Sequence, residues 1–263
     1  MNLSVTRALD LYSRVLMIGG LAITAVILGL DHRWLHMPFA CLVLLIATVL
    51  LRAAPVRLSK YSYLTQAGIP VLVGAIAVGP AAVVLALVVG VAAADIVWLR
   101  KVPRAALVNA GREVLAFVAA YGGYALVLRL SGSPPISLDF LPAGFTLIAL
   151  YFLTSRALFY FTLLLRSKLE PVEQLLILRW EIVSYCITVL GCVVVVAALR
   201  ALQPAGWAAV GAVLLVLGLM MRKILEEAIA AEDLNKVHLM EVAIASNVTL
   251  EGSFEQVERL GYR

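Results

Sequence analysis

Charge is what this sequence has least of. Only 14% of its 263 residues are Asp, Glu, Lys or Arg, against roughly 25% in soluble domains, while 63% are hydrophobic and the mean hydropathy is +1.01. That balance excludes a soluble globular protein. Cysteine is scarce as well: Cys41, Cys186 and Cys192 all fall inside apolar segments without CxxC spacing, which excludes a disulfide framework and a zinc site. His32 and His238 lie outside the apolar runs and His36 stands at the very start of one, so a bilayer-embedded haem with paired histidine ligands is excluded. His32 and His36 are spaced i, i+4, but two candidate ligands do not make a metal centre. No lysine sits in the middle of an apolar run, and GxxxxGK[ST], HExxH and paired-aspartate motifs are missing. The sequence therefore implies no catalytic residue, no cofactor and no enzyme activity in the residues present. The net charge of +5 comes from short basic loops rather than from a patch with exposed aromatics, so nucleic acid is not an expected partner.

What is present in abundance is apolar run after apolar run. Eight runs are bounded by charge, Gly or Pro: Leu11 to Leu30, Leu35 to Leu51, Leu64 to Val78, Ala81 to Leu99, Ala105 to Leu128, Leu141 to Leu165, Ile182 to Leu199 and Trp207 to Met221. The fold class expected is all-α, a polytopic integral membrane helical bundle of about eight transmembrane helices, with the lipid bilayer as its first partner. Runs 3 and 4 are joined only by Gly79 and Pro80, and run 3 is short, so the pair either crosses twice or forms a re-entrant hairpin. With the N-terminus inside, the inner segments hold thirteen Lys and Arg and the outer loops hold three. Cytoplasmic loops retain positive charge, so both termini are expected in the cytoplasm and the chain in a bacterial inner membrane. Glu170 to Trp180 reads as a short helix lying in the inner interface.

Residues 1–221 are thus expected to form one transmembrane domain, an anchor to which the resemblance given below adds a sensor role, and the composition changes abruptly after Met221. The segment from Arg222 to Arg263 carries eight of the sixteen acidic residues and five basic ones, and strong helix formers run without Gly or Pro to about Ser246. A cytoplasmic helix leaving the last span is expected over 222–263, with a weak seam that includes Leu234, Val237 and Ile244 and suits a parallel homodimer. Its end, where Ser253 caps an apolar stripe of Phe254, Val257 and Leu260, reads as the start of a truncated or absent output domain.

Ionisable groups within spans are costly and are usually paired or functional. Asp95 lies in run 4, Arg112 and Glu113 in run 5, Arg156 in run 6 and Glu181 at the start of run 7, with Gln66 and Asn109 as neutral companions. Asn109, Arg112 and Glu113 are spaced i, i+3 and i+4, so they share a helical face. The expected intramembrane polar network therefore comprises Asp95, Asn109, Arg112, Glu113, Arg156 and Gln66, with Asp95 paired to Arg112 and Glu113 to Arg156. Small residues of run 5, Ala116, Ala119, Ala120, Gly122 and Gly123, are expected to allow close helix packing.

The stretch PVRLSKYSYLTQAGIPVLVGAIAVGPAAVVLALVVGVAAADIVW, followed by RAALVNAGREVLAFVAAYGGYALVLRLSG, resembles the multi-span membrane input region of bacterial signalling proteins. That is the type preceding GAF, GGDEF, HD-GYP or histidine-kinase domains. The segment AEDLNKVHLMEVAIASNVTLEGSFEQVERLGYR resembles the coiled-coil connector and opening helix of a GAF-like domain in such proteins. The resemblance implies a sensory and dimerisation module that relays a signal to a cytoplasmic output. It assigns no ligand residues, and the output motifs themselves are missing. Two alternatives stand beside it. LVGAIAVGPAA followed by Asp95 is also similar to the substrate-binding components of vitamin importers, and the composition equally suits an accessory or scaffold subunit bound to other membrane subunits.

Overall fold

A computed structural model describes residues 3–57, 63–132, 141–165, 178–186, 188, 189, 211 and 213–230. Within them the chain forms eight helices in order: α1 (Leu3–Leu30), α2 (Arg33–His36), α3 (Pro38–Ala53), α4 (Gly68–Ala77), α5 (Pro80–Leu85), α6 (Ala92–Val97), α7 (Pro103–Ser131) and α8 (Leu141–Leu165). Residues 178–186 and 213–230 are also helical. The one extended pairing among the described residues joins the dipeptides Val56–Arg57 and Tyr63–Leu64 in antiparallel register, so the molecule is in effect all-helical, as its composition implies.

Four helices among the described residues are long and apolar enough to cross a membrane: Val5–Leu30, Pro80–Val97, Pro103–Ser131 and Pro142–Leu164. That number falls short of the eight runs read from the sequence. Run 2 appears as the 16-residue helix α3, and run 3 as the 10-residue helix α4, which at about 1.5 Å per residue reaches only ~15 Å, half of a hydrocarbon core of about 30 Å. Most of run 7 and the first residues of run 8 lie outside the described residues, as do the seam residues Leu234, Val237 and Ile244 and the stripe near the C-terminus.

The crossing helix Pro80–Val97 is not uniform. Residues Ala86–Val91 form a π-helical turn between α5 and α6. The wider turn carries an extra residue and so changes the face that everything after it presents. Thr48 of α3 packs at this point: a Cβ on Gly90 would stand 3.0 Å from its Cγ2. Beyond the turn, α6 presents Asp95 to the interior, fully buried. At the other end α4 stops at Gly79, whose φ of +127° is open to glycine and strained for other residues. Pro80 then starts α5 at the first-turn position where its missing N–H costs nothing. The connection after α1 clasps this corner: Asp31 accepts from the Ala81 N–H at 3.4 Å and from Arg33 Nε at 2.9 Å.

The core runs between these elements through Leu44, Leu72, Val84, Phe117 and Leu147. Helix α7 is its axis, flanked by α1 and α8. Leu11, Val15 and Ile18 of α1 and Phe145, Leu153 and Leu164 of α8 are exposed apolar residues, the faces such helices turn to lipid rather than to water. Close approach of α1 and α7 depends on two glycines. A Cβ on Gly20 would lie 2.9 Å from the Gly111 carbonyl oxygen, and one on Gly111 would lie 2.9 Å from the Leu16 carbonyl carbon, so the two backbones touch there.

Candidate functional site

The polar residues read from the sequence do come together inside the bundle, but with different partners. Asp95 does not pair with Arg112. It receives Arg52 Nε at 3.0 Å, Lys101 Nζ at 3.0 Å and the Asn109 amide at 2.7 Å. Arg52 ends α3 and Lys101 lies in the turn before α7, and in the sequence both look like ordinary basic loop residues. The turn folds back on itself: the Lys101 N–H donates to the Asp95 carbonyl at 2.9 Å, and Arg100 takes a φ of +49° to allow it. One residue of α6 thus holds Lys101 by both backbone and side chain. Burial, together with the positive charge of Arg52, pushes the Lys101 ammonium below its usual range, against the opposing pull of Asp95.

Glu113, one turn further into the membrane than Asn109, does not pair with Arg156. Its carboxylate accepts from Arg112 at 2.9 Å, from the Tyr151 hydroxyl at 3.1 Å and from the Ser155 hydroxyl at 3.2 Å. Arg156 instead pairs with Glu181, which also accepts from the Tyr160 hydroxyl at 3.3 Å. The expected pairs do not form because the α7 face carrying Glu113 meets α8 at Tyr151 and Ser155, and Arg156, the residue after Ser155, stands about 100° further round the helix. Arg112 and Arg156 share the Phe159 ring, their guanidinium carbons 5.2 and 5.7 Å from its centroid. Gln66, at the start of the half-length helix α4, donates to the Ser184 hydroxyl at 2.8 Å and accepts from Thr188 at 2.9 Å.

Two cavities open on this network. A small one, about 70 Å³, lies among Gly68 at the head of α4, Arg112, Glu113, Tyr151, Arg156 and Glu181. A larger one, about 500 Å³, lies between α1, α7 and α8 and takes in Arg52, Lys101, Arg104 and Arg112. Arg52, Thr65, Arg112 and Phe159 line both. No group of three or more His, Cys, Asp or Glu able to hold a metal exists among the described residues. The arrangement is a set of buried ion pairs joined by hydroxyls. What it can do is hold charge in a low-dielectric interior and transmit changes in that charge to the helices that carry it.

A third group joins the network to the helical segment 213–230. Leu225, on segment 213–230, is buried with Val56, and Trp180 and Ile229 pack on them. Val56 follows α3, whose end carries Arg52, and Trp180 is the neighbour of Glu181. Segment 213–230 continues past Met221 with i, i+4 pairs Arg222–Glu226 at 2.9 Å and Lys223–Glu227 at 3.8 Å.

A helical bundle with crossing helices this long and apolar, buried ion pairs and lipid-type outer faces is an integral membrane protein. In comparisons with known proteins no family model, no curated protein and no solved structure matches this chain.

Proposed function

We propose that this chain is a membrane-embedded sensory or input module, homodimeric, that relays a cue from its intramembrane polar network to a cytoplasmic output through the helix beginning at 213. The observation that carries this reading is the junction of Leu225 with Val56 and Trp180. Each of these neighbours adjoins an ion-pair residue, Arg52 near one and Glu181 beside the other, so a rearrangement of either pair shifts the surface on which the exit helix rests. Small shifts at such packed contacts are amplified because interfaces switch between discrete arrangements. The chain is read as crossing a bacterial inner membrane with both termini in the cytoplasm, on the thirteen-to-three distribution of basic residues. This orientation requires an even number of crossings, with α4 and the helix that follows it read either as two crossings or together as one re-entrant hairpin.

Native mass spectrometry in mild detergent tests the assembly: a homodimer is expected, and a stable complex with different chains would replace this reading by a scaffold subunit or importer component. Spin labels on the exposed Glu227 test the relay. The inter-label distance in the dimer is expected to change in Arg156→Ala. An unchanged distribution in a variant that remains folded would refute coupling through Trp180.

A further inference from the structure

The 500 Å³ cavity between α1, α7 and α8 has an imbalance that the ion pairs do not cancel. Arg52, Lys101, Arg104 and Arg112 line it, and none of its lining residues is a carboxylate. Asp95 behind it serves both Arg52 and Lys101, and Asp10 at its rim serves both Arg104 and Arg14. The four lining cations thus face three carboxylates, Asp95, Asp10 and Glu113, leaving a local excess of one positive charge. Arg112 is matched by Glu113, yet its Nε is buried with no hydrogen-bond partner. An uncompensated positive charge in a low-dielectric cleft is expensive unless an anion joins it. The rest of the wall is apolar or hydroxylic, with Leu16, Val108, Leu163 and Phe159 beside Tyr12 and Thr162. Leu11, Val15 and Leu164, on the same two outer helices, are exposed and face the acyl region.

We propose that this cavity binds a phosphate-bearing anion with an apolar tail, its phosphoryl group held by Arg52, Lys101, Arg104 and Arg112 and its tail lying between α1 and α8. Basic pockets between transmembrane helices at the cytoplasmic side take anionic lipid head groups in this way, and the bidentate guanidinium fork suits phosphate oxygens. Binding would draw on Arg52 and Lys101, the cations that otherwise share Asp95, and so reach the network assigned above to signalling. The site deepens that reading by naming the class of its ligand, but it is tested without any output, so loss of binding and loss of relay are separate results.

The test uses the full chain in zwitterionic-lipid nanodiscs, with phosphatidylglycerol and phosphatidylcholine compared by native mass spectrometry, and inorganic pyrophosphate titrated by thermal shift. Lys101→Gln and Arg104→Gln are chosen because Asp95 keeps Arg52 and Asn109, and Asp10 keeps Arg14, so the bundle should fold. Selective retention of phosphatidylglycerol is expected. At about 1 kcal/mol per basic residue near an anionic lipid, each variant should weaken retention roughly fivefold and the double variant roughly 25-fold, while Arg129→Gln, at the far end of α7, should not change it. Stabilisation by pyrophosphate with the same sensitivity to Lys101 and Arg104 would support the phosphate site and assign it to a soluble ligand. Equal retention of both lipids with no response to pyrophosphate, or binding indifferent to the double variant, would overturn the proposal.

Discussion

The contact of α1 with α7 gives the sharpest test of how this bundle is held. A Cβ on Gly111 would stand 2.9 Å from the Leu16 carbonyl carbon and 3.2 Å from Met17 Cα, where unstrained carbon pairs sit about 3.5–4.0 Å apart. Gly111→Ala therefore drives α1 outward by roughly 1 Å, and because the obstructing atoms are backbone, no rotamer change relieves it. Two effects then oppose each other. Alanine favours the helix by up to ~1 kcal/mol over glycine, and overpacking costs about 1–3 kcal/mol. At Gly122, where a Cβ meets nothing within 4 Å, only the first effect operates. Gly111→Ala should consequently lower the melting temperature in detergent by some 2–4 °C for each kcal/mol of net loss, while Gly122→Ala leaves it unchanged or raises it. Gly20→Ala should act like Gly111→Ala, and the double variant should cost less than the sum, since the helices separate only once. Intrinsic tryptophan fluorescence on heating reads all four proteins. If Gly111→Ala melts together with Gly122→Ala, the close crossing is wrong. Since Leu16 and Tyr12 of α1 line the larger cavity, the same displacement should weaken retention of any anion bound there.

Three further outcomes follow from the polar network. Glu113→Gln leaves Arg112 buried without its counter-charge and should destabilise by about 3–5 kcal/mol, whereas Arg112→Met with Glu113→Leu should recover most of that loss; a double variant as unstable as Glu113→Gln, read by the same melting assay, would refute the pairing. Asp95→Asn removes the charge shared by Arg52 and Lys101 and should cost a similar amount, measured as loss of monodisperse protein on size-exclusion chromatography after heating. At the Gly79 corner, burial raises and Arg33 more than offsets the Asp31 carboxyl, which stands below its ordinary 3.8. A depressed acid stabilises the fold above its unfolded value and loses that contribution as pH falls through its folded value, so melting temperature should drop below about pH 4 in the parent and less steeply in Asp31→Asn.

How legible was this architecture in the amino-acid order? The long helices largely were: uninterrupted apolar runs closed by Gly or charge set α7, α8 and the end of α1 within a few residues, because in a bilayer hydropathy itself is the folding signal, while α1 begins eight residues before its run, at Leu3. Asp95, Arg112, Glu113 and Arg156 also stood out, since charge inside such runs is rare. Their partners did not. Arg52 and Lys101 sit where loop charges belong, and only the π turn at Ala86–Val91, which has no sequence signature of its own, turns Asp95 toward them. Tyr151, Ser155 and Tyr160 do not stand out among the many apolar and hydroxylic residues of α8, and the contact of two backbones at Gly20 and Gly111 is hidden among other small residues such as Ala116 and Gly122.

The exchange of partners changes what the network can do. Had Asp95 paired with Arg112 and Glu113 with Arg156, every charge would have been matched one to one across neighbouring helices, and the charges would act only to fix register. Instead Asp95 is outnumbered by Arg52 and Lys101, and the neighbouring Arg112 is committed to Glu113 on its own helix. An interior with a spare cation on one side of its acid is poised for an anion to alter it. The ligand that relieves this excess contributes differential affinity for whichever arrangement of α3 and the 98–102 turn exposes the cations to it, and Val56, three residues beyond α3, carries that preference to Leu225. Coupling of this kind is reciprocal, so immobilising the exit helix, by a disulfide across the proposed dimer at Glu227→Cys, should change the retention of phosphatidylglycerol at a cavity that the substitution does not touch. Unaltered retention in a cross-linked, folded dimer would separate the two sites.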